Sequence, residues 1–203
     1  MTAMRGVALF GPPRCVVCRV REDWLCASCR SQARPPQEAM VIRDVTRGLA
    51  PWAYEGGPRA LVLGLKLRGL KDAAAPLVDA MVRCARHAGL DPDLVTWVPA
   101  RSKDKTARGF DHAEVLATGV ALRLGLSAAG VLARRGSQPD QAGLDRNSRL
   151  SNLASAFAAT TRVPETVLLV DDLVTTGATA ASCAATLKAA GALRVDVLAG
   201  CRR

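Results

Sequence analysis

Two adjacent aspartates, Asp171 and Asp172, lie between an apolar run and a loop rich in threonine and glycine. The apolar run, 167–170, is typical of a strand that is buried on both faces of a parallel sheet. The segment after the loop, 178–190, has a helical composition and is followed by a glycine. The free amides at a helix N-terminus bind phosphate, and paired carboxylates can accept hydrogen bonds from vicinal hydroxyls or bind a divalent cation. A ribose 5-phosphate meets both demands.

The thirteen residues 167–179 resemble the phosphoribosyl pyrophosphate (PRPP) signature of type I phosphoribosyltransferases, in which two acids and a Thr-Thr-Gly loop follow a hydrophobic strand. The resemblance implies that Asp171 and Asp172 are the catalytic pair and bind the ribose hydroxyls. It also implies a 5-phosphate site in the loop, at Thr175, Thr176, Gly177, Ala178 and Thr179. A simple helix cap with two solvated acids is the alternative, but it accounts neither for the paired acids nor for the doubled threonine.

The composition suits one domain with a small appendage. The chain has 203 residues, of which 49% are hydrophobic and only seven are aromatic. Its formal charge of +10 and pI near 9.9 indicate anionic partners. The charge is diffuse, however, and few aromatic side chains are available to stack on bases, so the charge alone is weak evidence for DNA. No apolar run is long enough for a membrane span and no secretory signal is evident, which predicts a cytoplasmic protein.

Four of the seven cysteines form two Cys-x2-Cys pairs, Cys15 with Cys18 and Cys26 with Cys29. This spacing is typical of a closed, structural zinc site, and without an export signal it does not favour disulfides. The site belongs to a predicted knuckle, residues 1–36, which ends at two prolines and has too few apolar residues to fold without metal. The other cysteines are expected to be buried as small hydrophobic residues: Cys84, Cys183 and Cys201.

The remaining chain, residues 45–203, is predicted to form one domain of alternating strands and helices. Strands are predicted for 49–54, 94–99, 131–134, 166–170 and 194–199. Helices are predicted for 58–67, 73–87, 111–124, 146–156 and 178–190. Such alternation indicates a parallel sheet whose ligands bind beyond the carboxyl ends of the strands. We therefore expect an α/β fold, similar to that of type I phosphoribosyltransferases, with the zinc knuckle attached at its N-terminus.

Basic residues follow the predicted strand 94–99 and should face the same crevice. By resemblance to phosphoribosyltransferase pyrophosphate loops, Ala100, Arg101 and Arg108 are predicted to bind PRPP. An exposed, solvated loop is the alternative. Lys66 lies in an apolar stretch and is predicted to face an anion, with pyrophosphate favoured, because an unpaired buried ammonium is costly.

Three further segments resemble the ComF/GntX branch, competence-related proteins with a phosphoribosyltransferase domain and often a four-cysteine zinc knuckle. They are the Lys-x2-Gly element in 65–69, the Arg-Gly-Phe element in 108–112, and a string in 141–157. The string consists of Gln141, Leu144, Arg149, Asn152, Ala156 and Phe157. Where the branch has Asn-Gln, this chain has Asp111 and His112; we expect a helix N-cap followed by a surface histidine, although a general acid/base role for His112 is the alternative.

The resemblance implies two functions. The first is a phosphoribosyltransferase that releases pyrophosphate, with an unidentified acceptor and with Mg²⁺ arriving on PRPP. The second is a non-catalytic module that binds PRPP or another phosphorylated small molecule, and single-stranded DNA, beside the ATPase of a DNA-uptake apparatus. Trp24 could then stack on bases, although a core position is the more common one for such a residue. The sequence leaves open the oligomeric state.

Overall fold

The computed structural model describes residues 12–101, 109–135 and 156–203. The described strands are β1 (Arg47–Leu49), β2 (Trp52–Ala53), β3 (Leu94–Trp97), β4 (Leu132–Arg134), β5 (Phe157–Ala159), β6 (Thr166–Val174) and β7 (Arg194–Arg202). The described helices are α1 (Ala27–Ser31), α2 (Gly56–Arg68), α3 (Ala75–His87), α4 (His112–Leu124) and α5 (Ala178–Ala189), and a 3-10 turn, Lys71–Ala74, precedes α3.

The main sheet is parallel and has the strand order β1-β7-β6-β3, with β2 beside β7. Both β1 and β2 pair with β7, through Gly48 with Val197 and through Trp52 with Cys201. On the other side, β6 pairs with β7 and with β3. The strands β4 and β5 form a separate antiparallel pair. The prediction of a parallel sheet flanked by helices is confirmed.

Several strands differ from their predicted bounds: β3 ends at Trp97, two residues before its predicted end, and β5 was not predicted. The single strand predicted for 49–54 is two short strands, because Pro51 lacks the N–H that a continuous ladder needs. Strand β6 continues four residues beyond its predicted end, and β7 continues three. The two extensions pair with each other, through Leu173 with Cys201 and through Val174 with Arg202. Asp171 and Asp172 therefore lie within β6 and not after it.

Two hydrophobic layers cover the sheet, one on each face. Helices α2, α3 and α4 supply the first layer, with Leu61, Leu77 and Leu116 fully buried. Helix α5 covers the opposite face, where Cys183 and Leu187 are fully buried. Alternation along β6 supplies both layers, since successive side chains of a strand point to opposite faces.

The cysteine segment packs into the first layer. Cys15, Leu25 and Cys26 belong to the same core cluster as the leucines of α2 and α3. At the start of α2, Gly57 leaves no room for a side chain, because a Cβ there would lie 2.6 Å from Leu25 Cδ1. The segment thus shares the hydrophobic core of the sheet.

Two smaller predictions can also be compared with the structure. Cys183 and Cys201 are buried as predicted, whereas Cys84 is only half-buried. The predicted helix 146–156 lies outside the described residues except for Ala156. Among the described helices, none combines the length and the apolar character needed to span a bilayer.

Candidate functional site

The two aspartates occupy adjacent positions on β6 and face different layers. In the α2–α4 layer, burial and, to a smaller extent, the charge of Asp172 raise the pKa of the Cys201 thiol to about 12. Asp171 raises the pKa of Cys183 on α5, again after the larger effect of burial. The two acids also contact each other, since the Asp172 N–H donates to Asp171 Oδ1 at 2.8 Å.

Asp172 lies in a charged cluster between α2 and α4. Its side chain is 2% exposed. Lys66 Nζ lies 2.8 Å from Asp172 Oδ2 and forms an ion pair with it, although the angles are not those of a hydrogen bond. His112 Nε2 lies 3.6 Å from the same oxygen, so a protonated His112 would add a second positive charge. Lys66 is predicted to face an anion, and among the described residues it forms an ion pair with Asp172.

Asp171 is partly accessible and has a strongly perturbed acidity. Burial raises the pKa of this carboxyl well above its usual range, and the negative charge of Asp172 raises it further. The Asp172 N–H and the charge of Lys66 oppose the shift without cancelling it. A carboxylate in this position is poorly solvated, so hydroxyl donors from a ligand would stabilise it.

The loop between β6 and α5 is formed around Gly177, which is the N-cap of the helix. Gly177 has φ +77°, a left-handed conformation that favours glycine. Thr175 and Thr176 are exposed, and the Ala178 N–H donates to Thr176 Oγ1 at 3.4 Å. Because the first amides of a helix have no intrahelical acceptor, the N–H groups of this turn can bind an anion.

A second loop follows β3 at the same edge of the sheet. Its start is fixed by Val98, whose N–H donates to the Val170 carbonyl at 3.0 Å, and by the Arg134 Nε, which donates to the Pro99 carbonyl at 2.8 Å. The Ala100 N–H donates to Asp111 Oδ2 at 2.8 Å. The loop thus begins beside the strand that contains both acids.

Asp111 joins this loop to α4. Its buried carboxylate accepts from the Ala113 N–H at 3.0 Å, which confirms the predicted N-cap, and from Ala100. The prediction of a surface histidine at position 112 is wrong, because the His112 side chain is 13% exposed and lies against Asp172. The first turn of α4 faces the sheet here, and this orientation was not evident from the sequence.

The four cysteines of the two pairs form a compact cluster. Their Sγ atoms all lie within 4.8 Å of one another, and Cys18 Sγ and Cys26 Sγ are 3.6 Å apart. Four sulfurs around one zinc ion, with bonds of about 2.3 Å, would be about 3.8 Å apart, so the cluster could hold such a metal. Burial alone would raise the pKa of Cys15, but backbone N–H donors, led by that of Cys26, lower it to about 6. Burial and the neighbouring thiols raise the pKa of Cys29 to about 12, so the thiolate is favoured at Cys15 and not at Cys29.

The structure thus brings together Lys66, Asp172 and His112, and it brings the second loop to the strand that bears the acids. Arg101 is exposed, and Arg108 lies outside the described residues, as do 141–152. Sequence reasoning missed the proximity of His112 to Asp172. The departure from the Asn-Gln element was the only signal at that position.

Comparisons with known proteins give relatives over most of the chain. No family model matches it. The chain is 29% identical over 197 residues to the DNA utilization protein YhgH of Salmonella typhimurium, which covers 94% of this chain and 83% of that protein. The protein of the same name from Escherichia coli K12 is 27% identical over the same shares.

Two solved structures show a weaker likeness. One is the glutamine PRPP amidotransferase from B. subtilis, with a TM-score of 0.45, 21% identity, and 63% of this chain covered. This chain spans about a quarter of that enzyme, 26% of its length. The other is the adenine phosphoribosyltransferase from Thermoanaerobacter pseudethanolicus, with a TM-score of 0.44, 13% identity, and coverage of 87% of this chain and 98% of that one.

Proposed function

We propose that the protein binds PRPP and is a phosphoribosyltransferase-like protein of the ComF type. One observation supports this most directly: two acids near the carboxyl end of β6 are followed, after the last two residues of the strand, by exposed threonines at the N-terminus of α5. An anion site next to carboxylates suits a ligand that combines a phosphate with vicinal hydroxyls.

In this proposal each part of the ligand has its own set of residues. Asp171 and Asp172 serve the ribose hydroxyls: Asp171, which is partly accessible, contacts them, and Asp172, which is buried beside Lys66, sets the charge around it. The loop Thr175–Thr179 binds the 5-phosphate. The pyrophosphate lies toward Lys66 and the second loop, through Ala100, Arg101 and Arg108. The partial exposure of the Lys66 side chain, 28%, leaves its ammonium within reach of a ligand while it neutralises Asp172.

The proposed reaction is a displacement at the anomeric carbon of the ribose. The bond from this carbon to pyrophosphate breaks, a bond to the acceptor forms, and the acceptor loses a proton. The protein would contribute orientation and stabilisation of the charge that moves onto pyrophosphate. When bound with PRPP, Mg²⁺ would neutralise part of the pyrophosphate charge. The acceptor stays unassigned in this proposal.

The test is the affinity for PRPP of Asp171→Asn, measured by calorimetry. The loss of a charged hydrogen bond to ribose should weaken binding by about tenfold to a hundredfold. Glu165→Gln is the matched control, since it removes an exposed acid at the other end of the same strand and should leave the affinity unchanged. Unchanged PRPP affinity in Asp171→Asn would contradict the ribose assignment.

We also propose that the four-cysteine cluster binds one structural zinc ion. Four protein thiolates fill a tetrahedral site and leave no position for a substrate, so this metal would stabilise the fold and take no part in the chemistry. Cys15, Cys18, Cys26 and Cys29 are its proposed ligands.

A non-catalytic, DNA-binding module is the alternative function. The name of the similar proteins, DNA utilization protein, supports it, as do the exposed arginines of the cysteine segment. These are Arg14, Arg19, Arg21 and Arg34. Phosphate contacts of this kind predict an affinity for single-stranded DNA that falls steeply with salt.

Two measurements separate the alternatives. Pyrophosphate release from PRPP, tested with a panel of bases and amines, would support the transferase. PRPP binding without turnover, together with DNA binding that weakens about tenfold or more between low and physiological salt, would support the module. DNA affinity that does not respond to salt would contradict phosphate contacts by the arginines.

A further inference from the structure

The segment between the cysteine cluster and β1, residues 37–46, crosses the α5 face of the sheet as a strap that turns at Arg43 and Asp44. It is fixed at both ends. Near its start, the Arg202 guanidinium donates to the Ala39 carbonyl and lies 3.7 Å from the Glu38 carboxylate. At its end, the Thr46 N–H donates to the Val195 carbonyl at 2.8 Å. The strap is therefore a defined part of the fold.

Over residues 40–43 of the strap, side chains alternate between the core and solvent. Met40 and Ile42 are 8% and 9% exposed and belong to the core cluster of α5, whereas Val41 between them is 91% exposed. Val41 is thus exposed next to two buried residues, and Met40 and Ile42 are buried to the same extent. This alternation provides matched controls for a test of either buried residue.

Ile42 packs against the proposed phosphate loop. A Cβ placed on Gly177 would lie 2.8 Å from Ile42 Cγ1, 3.2 Å from Cδ1 and 3.5 Å from Cγ2. The Ile42 side chain therefore occupies the space directly beside the Gly177 backbone. Since Gly177 also has a positive φ, the turn that begins α5 is fixed by its own conformation and by this packing.

We infer that Ile42 is a positioning residue for the phosphate loop Thr175–Thr179. It offers no polar atom to a ligand, so it would act through the Gly177 backbone, by restricting where the loop amides lie. Ligand sites depend on such packing, because donors that move must be ordered again when the ligand binds. This inference rests on the proposed function of the loop.

Met40 is the appropriate comparison. It is as buried as Ile42 and lies on the same strap, but its close neighbour is Gly48, where a Cβ would lie 2.9 Å from Met40 Cγ. Truncation of either side chain removes a similar apolar contact from the same core layer. Only Ile42→Ala also removes the packing beside Gly177.

The experiment compares Ile42→Ala, Met40→Ala and Val41→Ala in the full chain, with two measurements. Hydrogen exchange of the backbone amides in 175–181 reports loop order without a ligand, and calorimetry reports the affinity for PRPP. We expect Ile42→Ala to accelerate exchange in this loop and to weaken PRPP binding by about tenfold. Met40→Ala should change neither by more than about twofold after correction for its global stability, and Val41→Ala should match the wild type.

The result that overturns the inference is equal loop exchange in Ile42→Ala and Met40→Ala, or faster exchange with unchanged PRPP affinity. If Ile42→Ala does not fold, Ile42→Val makes the same comparison with one carbon removed. If the wild type does not bind PRPP, the proposed function fails, and the exchange measurement alone still decides whether Ile42 positions the loop.

Discussion

Asp171 and Asp172 are chemically identical neighbours, but their surroundings give them different properties. Asp172 is buried against Lys66, so its charge is compensated within the protein. For Asp171, burial and the charge of Asp172 raise the pKa, and the charge of Lys66 opposes this shift without cancelling it. Desolvated carboxylates of this kind are common at functional sites, where a ligand supplies the missing partners. Of the two acids, Asp171 is thus the one that a bound diol would stabilise more.

This difference predicts a pH dependence of stability. The folded protein holds the Asp171 proton more tightly than the unfolded chain, so stability from this group is fully present below the unfolded pKa of about 3.9 and is lost as the pH rises through the higher folded pKa. Asp171→Asn should therefore be more stable than the wild type at neutral pH and should lose this part of the pH dependence. Thermal melts from pH 4 to 8 provide the measurement.

Glu165→Gln is the control for these melts, because it removes one exposed negative charge directly before the same strand. If it raises the melting temperature as much as Asp171→Asn does, the effect comes from net charge and not from the local surroundings of Asp171. A more stable variant that binds PRPP less well would show the usual conflict between stability and function.

Among the elements, β6 shows what the sequence can and cannot specify. Its apolar run, its two acids and the helix after the loop all follow from local patterns, and the structure has each of them. The strand conformation of its last four residues, which include both acids, does not follow from local patterns, because these residues are in a strand only by pairing with the end of β7. Local propensity ends the strand at the acids, whereas tertiary pairing extends it.

The positions of His112 and Ile42 could not be predicted from the sequence for a similar reason. His112 reaches Asp172 only because α4 packs beside β6, and nothing near position 112 indicates that packing. Residues 40–42 are all apolar, so the alternation that buries Ile42 and exposes Val41 depends on which face the strap turns to the sheet. Residue patterns locate the chemistry, whereas the supporting contacts depend on the whole fold.

Across the whole molecule, the cysteine cluster and the proposed ligand site are joined by continuous packing. Leu25 of the cysteine segment packs against Gly57 at the start of α2, and Lys66 near the end of α2 pairs with Asp172. The strap leads from the same segment to Gly177. A change at the cluster can therefore reach both the acids and the phosphate loop, since closely packed interiors transmit strain.

This continuity predicts the effect of metal removal. Purified protein should contain about one zinc ion per chain, and a strong chelator should remove it and lower the melting temperature by about 10 °C or more, because binding free energy at a structural zinc site is folding free energy. As the cluster shares a core with α2 and α3, zinc-loaded protein should melt in one cooperative transition.

Cys26→Ser should reproduce the loss of stability, whereas Cys84→Ser, half-buried and outside the cluster, should keep the zinc. A zinc-free protein with the wild-type melting temperature would contradict the metal assignment, and a separate low-temperature transition for the cysteine segment would contradict the shared core.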